Sequence, residues 1–245
     1  MQWAHASSGH DPSTRPPPET LREDFSGSGM VSVCWIKSSP TRRAWAVDFD
    51  EEVHEWGREK HLSKLKAEER DRVALVTCDV LRAMDEGVPK VDVIVGNNYS
   101  WQCWLQDKDL DSYLASVLTG LNPGGMLVLD AFGGTSIKSD TCEEISVHEI
   151  TLGDGRPANF TYIYEQMGVK PDGEMTIGVS FGFTDGSIMK HAFKYNWRAR
   201  PVSNVCGRMR AAGFRKVCVF VDFNDETGAY RYFSDPIPDA SAKKT

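Results

Sequence analysis

Two acidic side chains stand directly before a glycine-containing loop near the start of the chain. Glu23 and Asp24 are followed by Phe25 and then by Gly27 and Gly29. Glycine has no side chain, so its backbone can approach a ligand closely and can adopt the positive φ of a tight turn. Carboxylates followed by such a loop are typical of a nucleotide-type cofactor site at the first crossover of an open α/β sheet.

A further carboxylate follows the loop at the spacing of one helix and one strand. Asp48 lies at the end of an apolar run that begins after Gly29 and a helix-length segment. A carboxylate in this position accepts hydrogen bonds from two ribose hydroxyls, and we expect Phe49 to lie against an adenine ring. The alternative is that Asp48 caps the next helix, although Asp50 can take that role.

The charge before the loop indicates which cofactor the site binds. Dinucleotide enzymes place a pyrophosphate at this helix N-terminus. Glu23 and Asp24 would repel that anion, whereas they suit the ammonium and sulfonium groups of S-adenosylmethionine. Ser32 also occupies the third glycine position of the dinucleotide fingerprint. We therefore expect S-adenosylmethionine and keep a nicotinamide-dependent oxidoreductase as the alternative.

The segment from Leu21 to Gly29 resembles the first motif of class I S-adenosylmethionine-dependent methyltransferases, in the subgroup where phenylalanine replaces the first glycine. Later segments resemble the family's other motifs in the same order: 46–50, 77–80, 96–101 and 121–126. The resemblance covers about residues 21 to 235. It implies an α/β fold with a Rossmann-like, mostly parallel seven-stranded sheet, and methyl transfer by in-line displacement at the sulfonium methyl.

The resemblance also implies roles for the matched residues. The predicted cofactor-binding residues are Glu23, Asp24, Phe25, Gly27, Gly29, Asp48, Phe49, Asp79, Val80 and Asn98. Among these, the acids before the loop would face the methionine part of the cofactor. Asp79 would receive the adenine amino group while Val80 donates its backbone N–H, or Asp79 would simply cap the segment that follows it.

A second set of residues is predicted to contact the methyl acceptor, because a β-rich cap lies over the acceptor pocket in the resembled subgroup. The predicted substrate-binding residues are Tyr99, Trp101, Glu165 and Arg198. Glu165 is also the candidate general base if the acceptor must lose a proton. The alternatives are that Trp101 is a core aromatic residue and that Glu165 and Arg198 form ordinary salt bridges. No metal is expected, because the histidines lack metal-ligand spacing.

The hydrophobic pattern changes partway along the chain. Strand and helix patterns alternate from residue 20 onwards, which predicts a parallel sheet, and they include a continuous helix over 51–66. Period-two runs near 160–164, 175–183 and 189–197 then predict a three-stranded antiparallel meander after strand five. We expect a single methyltransferase domain at 20–235 with a β-rich insertion at 136–200. Residues 1–19 and 236–245 are expected to be flexible tails.

Composition narrows the possible partners. The chain has 245 residues, a formal net charge of -7 and a pI near 5.4, so it lacks the basic character of most nucleic-acid-binding proteins. Its apolar runs are too short for a membrane span, and its cysteines form no C-x-x-C pair, so we expect a cytoplasmic protein with a small-molecule substrate. The oligomeric state is not predicted, and a catalytically weak or silent S-adenosylmethionine-binding protein remains an alternative.

Overall fold

A computed structural model describes residues 16–131, 141–152, 155–224 and 229–234. The predicted tails therefore lie outside the described residues, apart from positions 16–19. The chain divides into two compact units. The first comprises the described residues within Met1–Asn98, Asp111–Asp130 and Pro201–Thr245, and the second those within Tyr99–Leu110 and Ala131–Arg200.

The helices and strands are numbered here in chain order. Strands β1 to β11 span Thr20–Asp24, Arg43–Asp48, Val73–Thr77, Val91–Gly96, Leu121–Leu129, Thr141–Thr151, Pro157–Val169, Glu174–Phe183, Ile188–Arg198, Cys218–Asn224 and Ala229–Ser234. Helices α1 to α5 span Met30–Lys37, Glu51–Lys60, Ala67–Arg70, Asp107–Gly120 and Val202–Ala212. Short 3₁₀ turns occupy Leu62–Lys64, Val80–Arg82 and Ser100–Cys103.

The first unit is built on a parallel sheet. In the described chain it has five strands in the order β3–β2–β1–β4–β5. Leu21, Val93 and Val95 of the sheet pack with Val33 and Ile36 of α1, and this burial of apolar surface drives the pairing of the layers. The strand order reverses between β1 and β4, so the crevice beyond their carboxyl ends is where such sheets bind ligands.

The last two strands form a separate antiparallel pair, β10–β11. In the described residues, the seven strands expected for the methyltransferase sheet are therefore divided between the five-stranded parallel sheet and this two-stranded pair. A register shift between Val221 and Phe223 interrupts β10, and irregularities of this kind bend a strand and disrupt its ladder.

The second unit contains the β-rich insertion. The part of it that the structure describes is a sheet in the order β6–β7–β8–β9, with every neighbouring pair antiparallel. The predicted antiparallel meander after strand five is confirmed. The predicted number of three strands is wrong, because the sheet has four and β6 at Thr141–Thr151 was not expected. Its alternation is broken by consecutive acids, and Ile145 and Val147 are exposed on this edge strand, so no clear period-two pattern marks it.

The predicted long helix over 51–66 is also wrong in extent. Helix α2 begins at the cap Asp50, whose carboxylate accepts hydrogen bonds from the backbone N–H groups of Glu52 and Val53, as capping requires. Its last residue is Lys60, and the backbone of His61 has φ of −114° and ψ of −57°, away from regular helix values. A 3₁₀ turn at Leu62–Lys64 follows, and the backbone becomes extended at Leu65.

Within the described residues, none of the helices combines the length and the apolar character needed to cross a bilayer. Among the same residues, no three or more histidine, cysteine or acidic side chains are grouped so as to hold a metal ion.

Candidate functional site

The glycine loop is fixed to the end of β2 by Asp48. One oxygen of the Asp48 carboxylate accepts the backbone N–H of Gly27 at 2.7 Å, and the other accepts that of Asp50 at 3.1 Å. A carboxylate offers about four lone-pair sites, so Asp48 keeps acceptor capacity beyond these two bonds. Asp48 is the last residue of β2 and lies at the carboxyl edge of the sheet beside the loop. This is the position in which a ribose acceptor is needed.

The two loop glycines have different roles. Both have positive φ, 53° at Gly27 and 73° at Gly29, which other residues adopt only with strain. A Cβ at Gly29 would lie 2.8 Å from a methyl group of Leu75, so Gly29 lets the loop pack on the sheet. A Cβ at Gly27 would meet its nearest neighbour, Val53, only at 3.8 Å, so Gly27 is the position with room beside it for a ligand.

Glu23 is buried at the end of β1 and bonds to the start of helix α1. Its carboxylate accepts the Ser32 hydroxyl at 2.6 Å and the Ser32 backbone N–H at 2.8 Å. Burial raises the pKa of Glu23 to about 7, although the bonds from Ser32 oppose the rise. The serine at the third glycine position therefore holds an acid that is close to half-protonated at neutral pH.

This raised pKa predicts a pH-dependent stability that Glu23→Gln removes. Between the ordinary pKa of 4.5 and about 7, the folded protein keeps a proton that the unfolded chain releases, so stability falls as pH rises through this window. The loss is about 3 kcal/mol. Glutamine still accepts from Ser32 but does not titrate. Urea unfolding at about pH 5 and about pH 8 should show a larger decline in the wild type than in Glu23→Gln, because the other titrating groups are common to both proteins; parallel profiles would contradict this explanation.

Asp24 requires a correction, because it belongs to the core and not to a ligand-facing surface. It is 0% exposed and pairs with Arg22, whose Nε and Nη2 lie 2.7 and 2.8 Å from its two oxygens. The Tyr113 hydroxyl also donates to it at 3.1 Å. Gly120 leaves the room for Arg22, since a Cβ there would lie 2.9 Å from the guanidinium. Both carboxylate oxygens are therefore committed to an internal network.

The other predicted cofactor residues lie at loop positions of the first unit. Phe49 is 78% exposed directly after Asp48, and Asp79 caps the turn that begins with buried Val80, accepting the Leu81 N–H at 2.9 Å. The backbone N–H of Asn98 donates to Asp130 at 2.9 Å.

Phe25 has a positive φ of 54°, and its ring lies 5.7 Å from that of Tyr113. Because a bulky residue at positive φ is strained, the surrounding packing must hold the loop in this shape.

Helix α2 and the residue that follows it, His61, contact the glycine loop at three points that the sequence reasoning missed. Buried His54 faces the Ser26 hydroxyl at 3.3 Å, and His61 faces the Ser28 hydroxyl at 3.1 Å. Between them, a Cβ on Gly57 would lie 2.4 Å from the carbonyl oxygen of Ser28. The spacing of His54 and Gly57 places both on one face of α2, and His61 directly follows the helix; this spacing was the available signal.

In the second unit, aromatic rings form a continuous row. Tyr195 stacks on Trp197 at 4.9 Å, and Tyr99 meets the edge of Trp197 at 6.0 Å. Tyr99 and Tyr195 are both partly exposed, and burial raises the pKa of the Tyr195 hydroxyl, which keeps it protonated. Trp101 is only 2% exposed, as the alternative of a core aromatic residue predicts.

The side chain of Arg198 holds a loop of its own unit. Its guanidinium donates to the carbonyl oxygen of Leu105 at 2.9 Å and to the Asp107 carboxylate at 3.3 Å. Arg200 donates to the same two groups at 3.0 and 3.1 Å. The two arginines therefore fix the segment before α4, as the salt-bridge alternative predicts.

Glu165 pairs with His191 across the sheet of the second unit. Its carboxylate lies 2.9 Å from Nε2 of His191 and accepts the Ser180 hydroxyl at 3.3 Å. His191 has φ of +48° beside a register shift in β9, and its ring covers Gly178. Bulges commonly redirect a side chain in this way. The pair is chemically able to accept a proton.

The sheet order, the glycine loop and the strand-end carboxylate together define the fold of class I S-adenosylmethionine-dependent methyltransferases. No protein-family model matches the sequence, and no curated protein sequence matches it significantly. Solved structures do match across most of the chain.

Three of these structures show the extent of the similarity. CalS10, a SAM-bound amino pentose methyltransferase from Micromonospora echinaspora, aligns with a TM-score of 0.63 and 14% identity over 94% of this chain and 93% of its own. KedS8, a sugar N-methyltransferase from Streptoalloteichus sp, aligns with a TM-score of 0.58 and 16% identity over 87% of this chain and 77% of its own. An S-adenosylmethionine-dependent methyltransferase from Clostridium acetobutylicum aligns with a TM-score of 0.60 and 17% identity over 83% of this chain and 74% of its own. At these identities the similarity establishes the fold.

Proposed function

We propose that this chain transfers the methyl group of S-adenosylmethionine to an amine of a small molecule, by in-line displacement at the sulfonium methyl. The observation that carries the proposal is the position of Asp48. Its carboxylate accepts a hydrogen bond from the Gly27 N–H at the carboxyl edge of the sheet. The side chain of the next residue, Phe49, is exposed to solvent.

These groups fit parts of S-adenosylmethionine. Asp48 has lone pairs left for ribose hydroxyls, Phe49 offers a flat apolar face for adenine, and the space beside Gly27 admits a ligand next to backbone. The bound cofactor supplies an activated methyl group, so the protein's part is to hold the acceptor in line with it.

The proposal of an amine acceptor rests on two observations. CalS10 is an amino pentose methyltransferase, and KedS8 is a sugar N-methyltransferase. In the second unit of this chain, the partly exposed rings of Tyr99 and Tyr195 suit the apolar face of a sugar ring or an ammonium group. Glu165 with His191 is the pair we propose to take the amine proton.

The decisive variant for the cofactor site is Asp48→Ala. It removes the ribose acceptor and the anchor of Gly27 together, so we expect S-adenosylhomocysteine to bind about 10- to 100-fold more weakly, as the loss of a charged hydrogen-bond acceptor implies. Isothermal titration calorimetry measures the change. Asp85→Ala removes an exposed acid of the same unit and should leave affinity unchanged. Equal affinities for wild type and Asp48→Ala would remove Asp48 from the site.

A second experiment tests the reaction. Formation of S-adenosylhomocysteine should be measured with a panel of amino sugars and the matching sugars that carry hydroxyl in place of amine. Turnover with amines alone supports the proposal, and turnover only with hydroxyl acceptors would overturn the amine assignment. Binding without turnover on any acceptor would favour a silent binding protein, and stabilisation by NAD alone would favour an oxidoreductase.

A further inference from the structure

Four side chains form a hydrogen-bond relay that runs from the surface to the glycine loop. The Thr77 hydroxyl donates to the exposed Glu51 carboxylate, and Nδ1 of His54 lies 2.8 Å from the Thr77 oxygen. Nε2 of the same ring lies 3.3 Å from the Ser26 hydroxyl. Strand β3, helix α2 and the loop are therefore linked through one buried imidazole.

The direction of each bond follows from donor counting. Hydrogen bonding from Thr77 lowers the pKa of Glu51, so this carboxylate is ionised and only accepts. Thr77 spends its one hydroxyl hydrogen on Glu51 and must accept from His54, which places the ring proton on Nδ1. Nε2 is then left as an acceptor, and the Ser26 hydroxyl donates to it.

The environment of His54 favours this neutral tautomer. The ring is 0% exposed, and burial lowers its pKa although Asp48 and Glu51 raise it. The backbone of Ser26 is held on both sides, since its N–H donates to the Val47 carbonyl at 3.0 Å and its carbonyl accepts from Gly29 at 3.0 Å. Ser26 directly precedes Gly27, whose N–H bonds to Asp48.

We propose that His54 is a positioning residue for the cofactor loop: through Nε2 it holds the Ser26 hydroxyl, and so keeps the Gly27 N–H directed at Asp48 in the shape that binds S-adenosylmethionine. This inference rests on the proposed function. It assigns His54 no contact with the cofactor, because the residue is fully buried.

Two conservative variants separate the arms of the relay. His54→Gln places an amide oxygen near the Nε2 position and keeps an acceptor for Ser26. His54→Asn places an amide nitrogen near the Nδ1 position, so it keeps the donor toward Thr77 and loses the bond to Ser26. Ser26→Ala removes the same bond from the loop side. A variant of an equivalent exposed pair, His148→Asn, serves as the control, since His148 bonds to the Ser146 hydroxyl at 2.8 Å in the second unit.

Affinity for S-adenosylhomocysteine and amide exchange in the ligand-free protein are the two measurements. We expect His54→Asn and Ser26→Ala each to weaken binding about tenfold and to accelerate exchange of the Gly27 amide, because a buried partner is left unpaired. His54→Gln should stay within about threefold of wild type, and His148→Asn should change neither quantity. The double variant with Ser26→Ala and His54→Asn should be no worse than either single one.

Equal effects of His54→Gln and His54→Asn would overturn the proposal, as would additive effects in the double variant or unchanged Gly27 exchange in His54→Asn. A wild-type protein that does not bind S-adenosylhomocysteine would instead defeat the proposed function. The exchange measurement still decides the relay in that case, since it needs no ligand.

Discussion

Replacement of Asp24 by alanine is expected to destabilise the protein by about 3–5 kcal/mol, the cost of leaving a buried charge without its partner. Arg22 and Asp24 are both fully buried and joined by two short bonds, and Tyr113 donates to the same carboxylate. The loss is a large part of the roughly 5–15 kcal/mol that stabilises a typical domain. Urea unfolding of the variant measures it.

Two controls show whether the unpaired charge is the cause. Glu86→Ala removes an acid from the exposed Arg82–Glu86 pair and should cost less than about 1 kcal/mol. The triple replacement Arg22→Met, Asp24→Leu and Tyr113→Phe removes all the polar partners, so it should recover much of the stability lost in Asp24→Ala. A triple variant as unstable as the single one would show that packing, and not charge, explains the loss.

Gly57→Ala is expected to distort the glycine loop. The added Cβ would lie 2.4 Å from the carbonyl oxygen of Ser28, so the helix or the loop backbone must move. We expect a net loss of about 1–3 kcal/mol, because overpacking outweighs the gain in helix propensity. Affinity for S-adenosylhomocysteine should fall about tenfold or more, since a loop displacement misplaces the binding groups. Calorimetric titration and thermal unfolding give the two values.

Gly207 provides the matched control for this helix glycine. It lies within α5, and a Cβ there would meet no atom within 4 Å. Gly207→Ala should therefore stabilise the protein by about 0.5–1 kcal/mol through helix propensity alone and leave cofactor affinity unchanged. If both glycine variants behaved alike, the contact between α2 and Ser28 would not determine the shape of the loop.

The predictions that depended on local pattern and strand order were the successful ones. Alternation of strand and helix gave the α/β class, and the meander followed from period-two runs such as that of β8. The position of Asp48 next to the loop was also foreseeable, because a parallel crossover returns the chain to the same sheet edge. These features need only short-range regularities and the rules of sheet topology.

The predicted roles of Glu23 and Asp24 were less successful, because the sequence pattern gave both acids the same role at the methionine part of the cofactor. Glu23 and Asp24 are adjacent in the sequence, yet they point to opposite faces of β1, since successive strand residues alternate. One bonds to the start of α1 and the other to Arg22. The same alternation places Arg22 on the face of Asp24, but the motif did not encode which of the two faces packs against α1 and how deeply each is buried.

By itself, the sequence determined the α/β class, the glycine loop and the strand-end carboxylate, because residue type and spacing set turn geometry and strand order. Tertiary structure alone decided that Asp24 is a buried salt-bridge partner and that His54 and Gly57 support the loop. It also decided that Glu165 pairs with His191. These facts depend on which side chains meet across distant segments, and burial, which sets their pKa values and their energies, exists only after the chain has folded.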